Sequence, residues 1–168
     1  VEVITRADFD ATEAADPYYR HRWPYLRQAA AWARELAPRC AIELGPYRLP
    51  ILPEADTMDR CSHPRPPTIL HDAMIAPWPI QDRAYDLFIA LQVWEHLGSS
   101  QAAAFREVQR VARAAILSFP YRWNCPDRPD HHGIDEARIA EWTCHKPPAE
   151  VVHAGSRVLY RWDFTARR

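Results

Sequence analysis

Lysine is almost missing: Lys146 is the only one in 168 residues, and the remaining basic side chains are arginines. Schiff-base or lysine-nucleophile chemistry therefore has one candidate and no supporting context. Glycine is nearly as scarce, with four residues against 16 prolines. Proline fixes φ, so the connections are expected to be well defined. The shortage of glycine matters wherever a cofactor must come close to backbone. No apolar run nears the ~20 residues that a membrane helix needs. The longest, Leu87 to Leu91, is strand length, and no charged-then-apolar export signal follows Val1. The four cysteines, Cys40, Cys61, Cys125 and Cys144, stand far apart without a CxxC pair, which predicts free thiols in a cytoplasmic protein. Neither sign of charge dominates: 21 basic against 22 acidic residues leave a formal net charge of −1. That balance argues against a protein built to grip phosphate backbones or anionic membrane.

What is present suits one globular domain over residues 1–168. The chain is 48% hydrophobic and 26% charged, and a chain of this length buries roughly 70% of its unfolded surface without disulfides or a structural metal. Tyr25 to Ala37 reads as a helix, with Leu26, Ala30 and Ala33 on one face, Pro24 in its first turn and Pro38 just beyond its end. Cys40 to Leu44 is a short apolar strand ending at Gly45. Asp56–Asp59 and Thr68–His71 are shorter strand candidates. Tyr85–Leu91 is the strongest, apolar on both faces, as in the middle of a covered parallel sheet. Ser99 or Ser100 is placed to cap a helix that runs to about Arg113, with Phe105, Val108, Val111 and Ala112 as its buried stripe. Ala114 to Phe119 is the next strand. Asp135 reads as an N-cap, with Ile134 and Ile139 spaced as a hydrophobic staple, so a short helix to Trp142 follows. Glu150–His153 and Arg157–Phe164 flank Ala154-Gly155-Ser156 and read as a hairpin. The order implies an α/β, Rossmann-like, mostly parallel sheet with helices on both faces and a C-terminal antiparallel hairpin on or near an edge. Ligands in such sheets bind beyond the C-terminal strand ends.

The residues at those ends resemble class I S-adenosylmethionine-dependent methyltransferases of the small-molecule type. Ala41-Ile-Glu-Leu-Gly45 is similar to the family's first motif, and Tyr85-Asp-Leu-Phe-Ile-Ala-Leu-Gln-Val-Trp-Glu-His-Leu97 to its fourth strand and following turn. Phe105-Arg-Glu-Val-Gln-Arg-Val111 and Ile116-Leu-Ser-Phe119 resemble the next helix and strand. The likeness covers about residues 25 to 120. It implies S-adenosylmethionine as cofactor, held by Glu43, Gly45, Asp59, Asp72, Ala73, Leu91 and Gln92. In the family Asp59 would take the ribose hydroxyls, a role suited to a carboxylate, and Asp72 the adenine amino group. The departure is the first loop. Gly45-Pro-Tyr-Arg-Leu-Pro-Ile-Leu-Pro53 replaces a glycine-rich turn: Tyr47 sits at a glycine position, and Pro50 and Pro53 leave little room for a helix. Arg48 is expected to pair with the cofactor carboxylate instead. The same departure makes a cofactor-free fold, working as a homodimer or as the partner of an active relative, the rival reading.

Methyl transfer needs a nucleophile held in line with the donor bond, water excluded, and a place for the acceptor's proton. His96 follows the fourth strand, and His131 and His132 lie in the loop after the fifth. His96 and His132 are the pair expected at the reacting atoms, with Tyr121 and Trp123 walling the acceptor pocket. The Asn/Asp-Pro-Pro-Tyr turn of many exocyclic-amine methyltransferases is replaced by Leu91-Gln-Val-Trp94. The resemblance therefore implies a small-molecule or glycan acceptor, methylated at oxygen, rather than a nucleic acid. Tyr18-Tyr-Arg-His-Arg-Trp23 mixes rings with cations, as a single-stranded nucleic-acid surface does, but arginines packed over tryptophan explain the letters more cheaply. Cys125, His131, His132, Cys144 and His145 offer zinc-type donors; their spacings match no compact pattern, and no metal site is expected.

Overall fold

The computed structural model describes residues 1–62 and 64–165. The apolar runs form the centre of a seven-stranded sheet of order β3-β2-β1-β4-β5-β7-β6. β1 (Ala41–Leu44), β2 (Asp56–Asp59), β3 (Ile69–Leu70), β4 (Tyr85–Leu91) and β5 (Ala112–Pro120) are parallel. β7 (Arg157–Asp163) inserts antiparallel between β5 and the edge strand β6 (Glu150–Ala154), so the hairpin closes one side of the sheet. Strand order reverses between β1 and β4, and their C-terminal ends open a crevice there.

Alternation along the strands divides the core into two layers. Ile42, Leu44, Phe88, Ala90, Ala115 and Leu117 face α3 (Gln101–Val111) and α4 (Glu136–Trp142). Ala41, Leu87, Ile89 and Ile116 face α1 (Arg6–Ala15) and α2 (Trp23–Leu36). Helices thus cover both faces. The first helix carries no apolar stripe, since Phe9 is its only buried residue, and periodicity is silent about it. Its start is written in a capping box instead: Thr5 accepts from the Asp8 amide, and the Asp8 side chain accepts from the Thr5 amide. Asp135 caps α4 as expected, accepting from the Arg138 amide at 3.0 Å. Ser100 does not cap α3 with its side chain. Ala112 leaves the helix and begins β5, because pairing with Tyr85 captures it.

The connections β1–β2, β2–β3 and β3–β4 contain no helix among the described residues. The β3–β4 segment is fixed to α3 by charge. Glu107 Oε2 accepts the Trp78 amide at 2.7 Å, and the Arg110 guanidinium donates to the Ile80 carbonyl at 2.7 Å and the Trp78 carbonyl at 3.1 Å. Buried Trp78 stacks on Phe88. No helix is long and apolar enough to cross a membrane among the described residues. At the centre of the α3 layer, fully buried Phe105 meets Trp94, Trp162 and Phe164 edge-on. Phe105→Ala is expected to cost about 3–5 kcal/mol of stability, read as a lowered midpoint of urea unfolding.

Candidate functional site

Four parallel strands end on one cleft of ≈ 240 Å³, lined by Gly45 after β1, Asp59 and Arg60 after β2, Asp72, Ala73 and Met74 after β3, and Gln92, Val93 and His96 after β4. Tyr18 closes one side. Glycine suits position 45 on two counts. Its φ is +62°, and a Cβ there would stand 3.2 Å from Val93 Cγ2. Asp59 Oδ1 accepts the Cys61 amide at 3.1 Å, and Asp72 Oδ1 accepts the Met74 amide at 2.9 Å. Each side chain is thereby locked by a turn, and among the described residues neither Oδ2 carries a hydrogen bond. Two half-buried carboxylates thus offer one oxygen each to a ligand.

Other expected positions have different work. Glu43 does not line this cleft. Strand alternation turns it to the α1/α2 face, where it is 3% exposed and its two oxygens accept the Ile51 and Leu52 amides at 2.9 and 2.6 Å. It is a positioning residue for the β1–β2 connection. Arg48 does not line this cleft: it is exposed, paired with Asp16 at 3.1 Å, and borders the adjoining cavity that Asp59 also lines. Tyr47 takes φ +55° and joins Tyr18 and Tyr19 in a ring cluster without lining the cleft. Leu91 lies behind Gln92, beside Glu43 and Tyr25. Gln92 is on the wall, with its side chain tied inward: it donates to Ser118 Oγ and accepts from Arg157 Nε, both at 3.1 Å.

The histidines are redistributed as well. His132, expected at the reacting atoms, is exposed and accepts the Cys125 amide on Nδ1 at 3.1 Å, which shapes its own loop. His131 is the buried one, and its ring meets His96 with centroids 4.8 Å apart. Asp130 Oδ2 lies 3.1 Å from His96 Nδ1 and 2.9 Å from His131 Nδ1, the second contact lacking hydrogen-bond alignment. Glu95, beside them, is 3% exposed with neither oxygen hydrogen-bonded. Burial pushes its carboxyl up to about 8, and burial likewise lowers the His96 imidazole. Trp123 stacks on His131 and donates to the Ser156 carbonyl at 2.6 Å, while the Tyr121 phenol donates to Glu136. Trp123 therefore stands by the histidines, and Tyr121 belongs to the α4 side.

Burial also raises the Glu43 carboxyl, to about 7 from the ordinary 4.5. A raised value in the folded state means that folding favours the protonated form. Its contribution to stability is complete below about pH 4.5 and is lost as pH rises through about 7. Urea unfolding from pH 5 to 8 is expected to show wild type losing stability relative to Glu43→Gln, by up to about 3 kcal/mol. At pH 5 the amide variant is expected to be the weaker by about 1–3 kcal/mol, since its NH₂ faces a backbone N–H.

No family profile and no curated protein matches the chain. Solved structures do. The methyltransferase domain of bacterial CtHen1-CN superposes with a TM-score of 0.62 at 11% identity, over 86% of this chain and 100% of that one. The N-methyltransferase NodS from Bradyrhizobium japonicum WM9, solved with S-adenosyl-L-homocysteine, gives 0.58 at 14% identity over 83% and 87%. A SAM-dependent methyltransferase from Aquifex aeolicus gives 0.60 at 9% identity over 94% and 97%. The chain has the class I S-adenosylmethionine-dependent methyltransferase fold.

Proposed function

We propose that this chain binds S-adenosylmethionine in the cleft at the ends of β1 to β4 and transfers its methyl group to a hydroxyl of a small molecule or glycan. The observation that carries this reading is the convergence of Gly45, Asp59, Asp72 and Gln92, from four successive strand ends, on one cavity. The residues suit the cofactor. Gly45 leaves room where a Cβ would crowd Val93, and the open oxygens of Asp59 and Asp72 can accept from two ribose hydroxyls and an adenine amino group, hydrogen bonds worth about 1.5–3 kcal/mol each when the acceptor is charged. When bound, the cofactor supplies an electrophilic methyl group on a sulfonium. The protein's part is to orient the acceptor, exclude water and draw off its proton. His96, on the cleft wall with Asp130 at its ring, is the side chain placed to assist that proton's departure.

The rival reading, a sheet that has lost cofactor affinity, is favoured by one feature: the β1–β2 connection forms no helix, so that loop brings no helix N-terminus to the site. One titration separates the two. S-adenosylhomocysteine is expected to bind wild type in the micromolar range, and Asp59→Ala and Asp72→Ala are each expected to weaken it at least about tenfold. Well-folded wild-type protein that releases no heat would establish the rival. Methyl-labelled cofactor is expected to mark hydroxylated small molecules or glycans; label appearing on single-stranded RNA or DNA instead would overturn the acceptor class.

A further inference from the structure

Beyond the cofactor cleft, the largest unexplained feature is Glu95. It sits in a single 3₁₀ turn (Trp94–His96), which carries it straight from the end of β4 into the interior. Its carboxylate is 3% exposed and neither oxygen has a hydrogen-bond partner. A buried polar group left this way costs about 1–3 kcal/mol, and a charged one more. Arg157 and Arg22 favour its charge only from a distance and give it no hydrogen bond: Arg157 spends its Nε on Gln92, and its guanidinium lies over Tyr25 and Trp123. What does lie close is imidazole. One ligand atom each from Glu95, His96 and His131 fall within 4.8 Å of one another. The Nδ1 atom of His131 is buried as well and faces Asp130 Oδ2 at 2.9 Å without hydrogen-bond alignment.

We infer that Glu95, His96 and His131 form a binding site for a divalent first-row transition ion at the mouth of the cleft. Two imidazoles and one carboxylate suit zinc, manganese or iron, whereas magnesium and calcium prefer all-oxygen shells. Bonds of about 2.0–2.2 Å place ligand atoms roughly 3–4 Å apart. Rotation of the exposed His96 ring closes the remaining gap. Asp130 brings a second negative charge to both rings. Arg128, an exposed side chain, approaches His131 Nε2 at 3.2 Å. Ligation through Nδ1 leaves the ring proton on Nε2 and turns Arg128 outward. Trp123, stacked on His131, holds the ring plane. Three protein ligands leave coordination positions open, the arrangement of a catalytic rather than a structural ion. His96 lines the cofactor cleft as well, so the ion stands beside it.

The ion's role, though not its binding, rests on the methyl-transfer reading. With His96 engaged as a ligand, the ion rather than that imidazole promotes the proton's departure: an acceptor hydroxyl coordinated there loses it to water more readily. Its oxygen pair forms the new O–CH₃ bond as the donor's S–CH₃ bond breaks, and that bond's electron pair stays on sulfur as the thioether.

The test is metal uptake measured apart from catalysis. Metal-free protein titrated with Zn²⁺, Mn²⁺ or Mg²⁺ is expected to take up one Zn²⁺ or Mn²⁺ per chain, with Mg²⁺ at least about tenfold weaker. Glu95→Gln and His131→Ala are each expected to lose at least about tenfold in affinity, while His132→Ala retains it. Circular dichroism checks that each variant folds. Should a variant unfold, the wild type still decides: Mn²⁺ must broaden the imidazole signals of His96 and His131 and spare His145. Absent uptake, uptake unchanged by both substitutions, or loss in His132→Ala through chelation by the Cys125 loop would each overturn the site. Titrating S-adenosylhomocysteine on the same samples separates the two readings. Ion uptake without cofactor binding keeps this site and removes methyl transfer, and cofactor binding without uptake does the reverse.

Discussion

The β1–β2 connection has no helix to satisfy its backbone, and the rest of the site depends on the side chain that satisfies it instead. Glu43 lies on the strand that ends at Gly45 and reaches across to the amides of Ile51 and Leu52. Ile51 in turn accepts from the Ile4 amide, so the loop, the N-terminal segment and β1 are joined through one buried carboxylate. With that loop fixed, Tyr47 stacks on Tyr19 and Tyr18 reaches the edge of the cleft. Burial disfavours the ionised acid and the two amides favour it, which leaves the group poised near neutrality.

The same solution recurs on the opposite face. The β3–β4 connection also lacks a helix, and Glu107 with Arg110 clamps its backbone to α3. That clamp lies a few residues beyond Asp72 and Ala73, which it holds against the cleft. A chain poor in glycine has thus built short, helix-free crossings that buried charges fasten, and proline stiffens them. Gly45 combines a positive φ with a close neighbour in Val93.

Glu95 stands apart from these two carboxylates. Glu43 and Glu107 are buried and bonded to amides; Glu95 is buried and bonded to nothing, with two imidazoles and Asp130 nearby. A fold tolerates such a group where function repays the cost.

The sequence by itself determined the central strands, because short apolar runs such as Tyr85–Leu91 and Ala114–Phe119 suit a covered parallel sheet, and the weaker strands at Asp56 and Thr68 were legible only from their order beside them. It also determined the N-cap at Asp135 and the terminal hairpin, since both are local devices. It was silent on α1, whose single buried residue makes no stripe. It carried no sign that the charge of Arg48 meets Asp16 on another element. Direction and convergence belonged to the tertiary structure. Whether Glu43 faces a ligand or a loop turns on strand alternation within a particular sheet. His131 and His132 are neighbours in a loop whose periodicity carries no signal, and only packing against Trp123 and His96 decides which ring goes inward. The meeting of Glu95 and His96 with His131 joins segments on either side of β5, and no spacing along the chain announces a contact that exists only once that strand is laid beside β4.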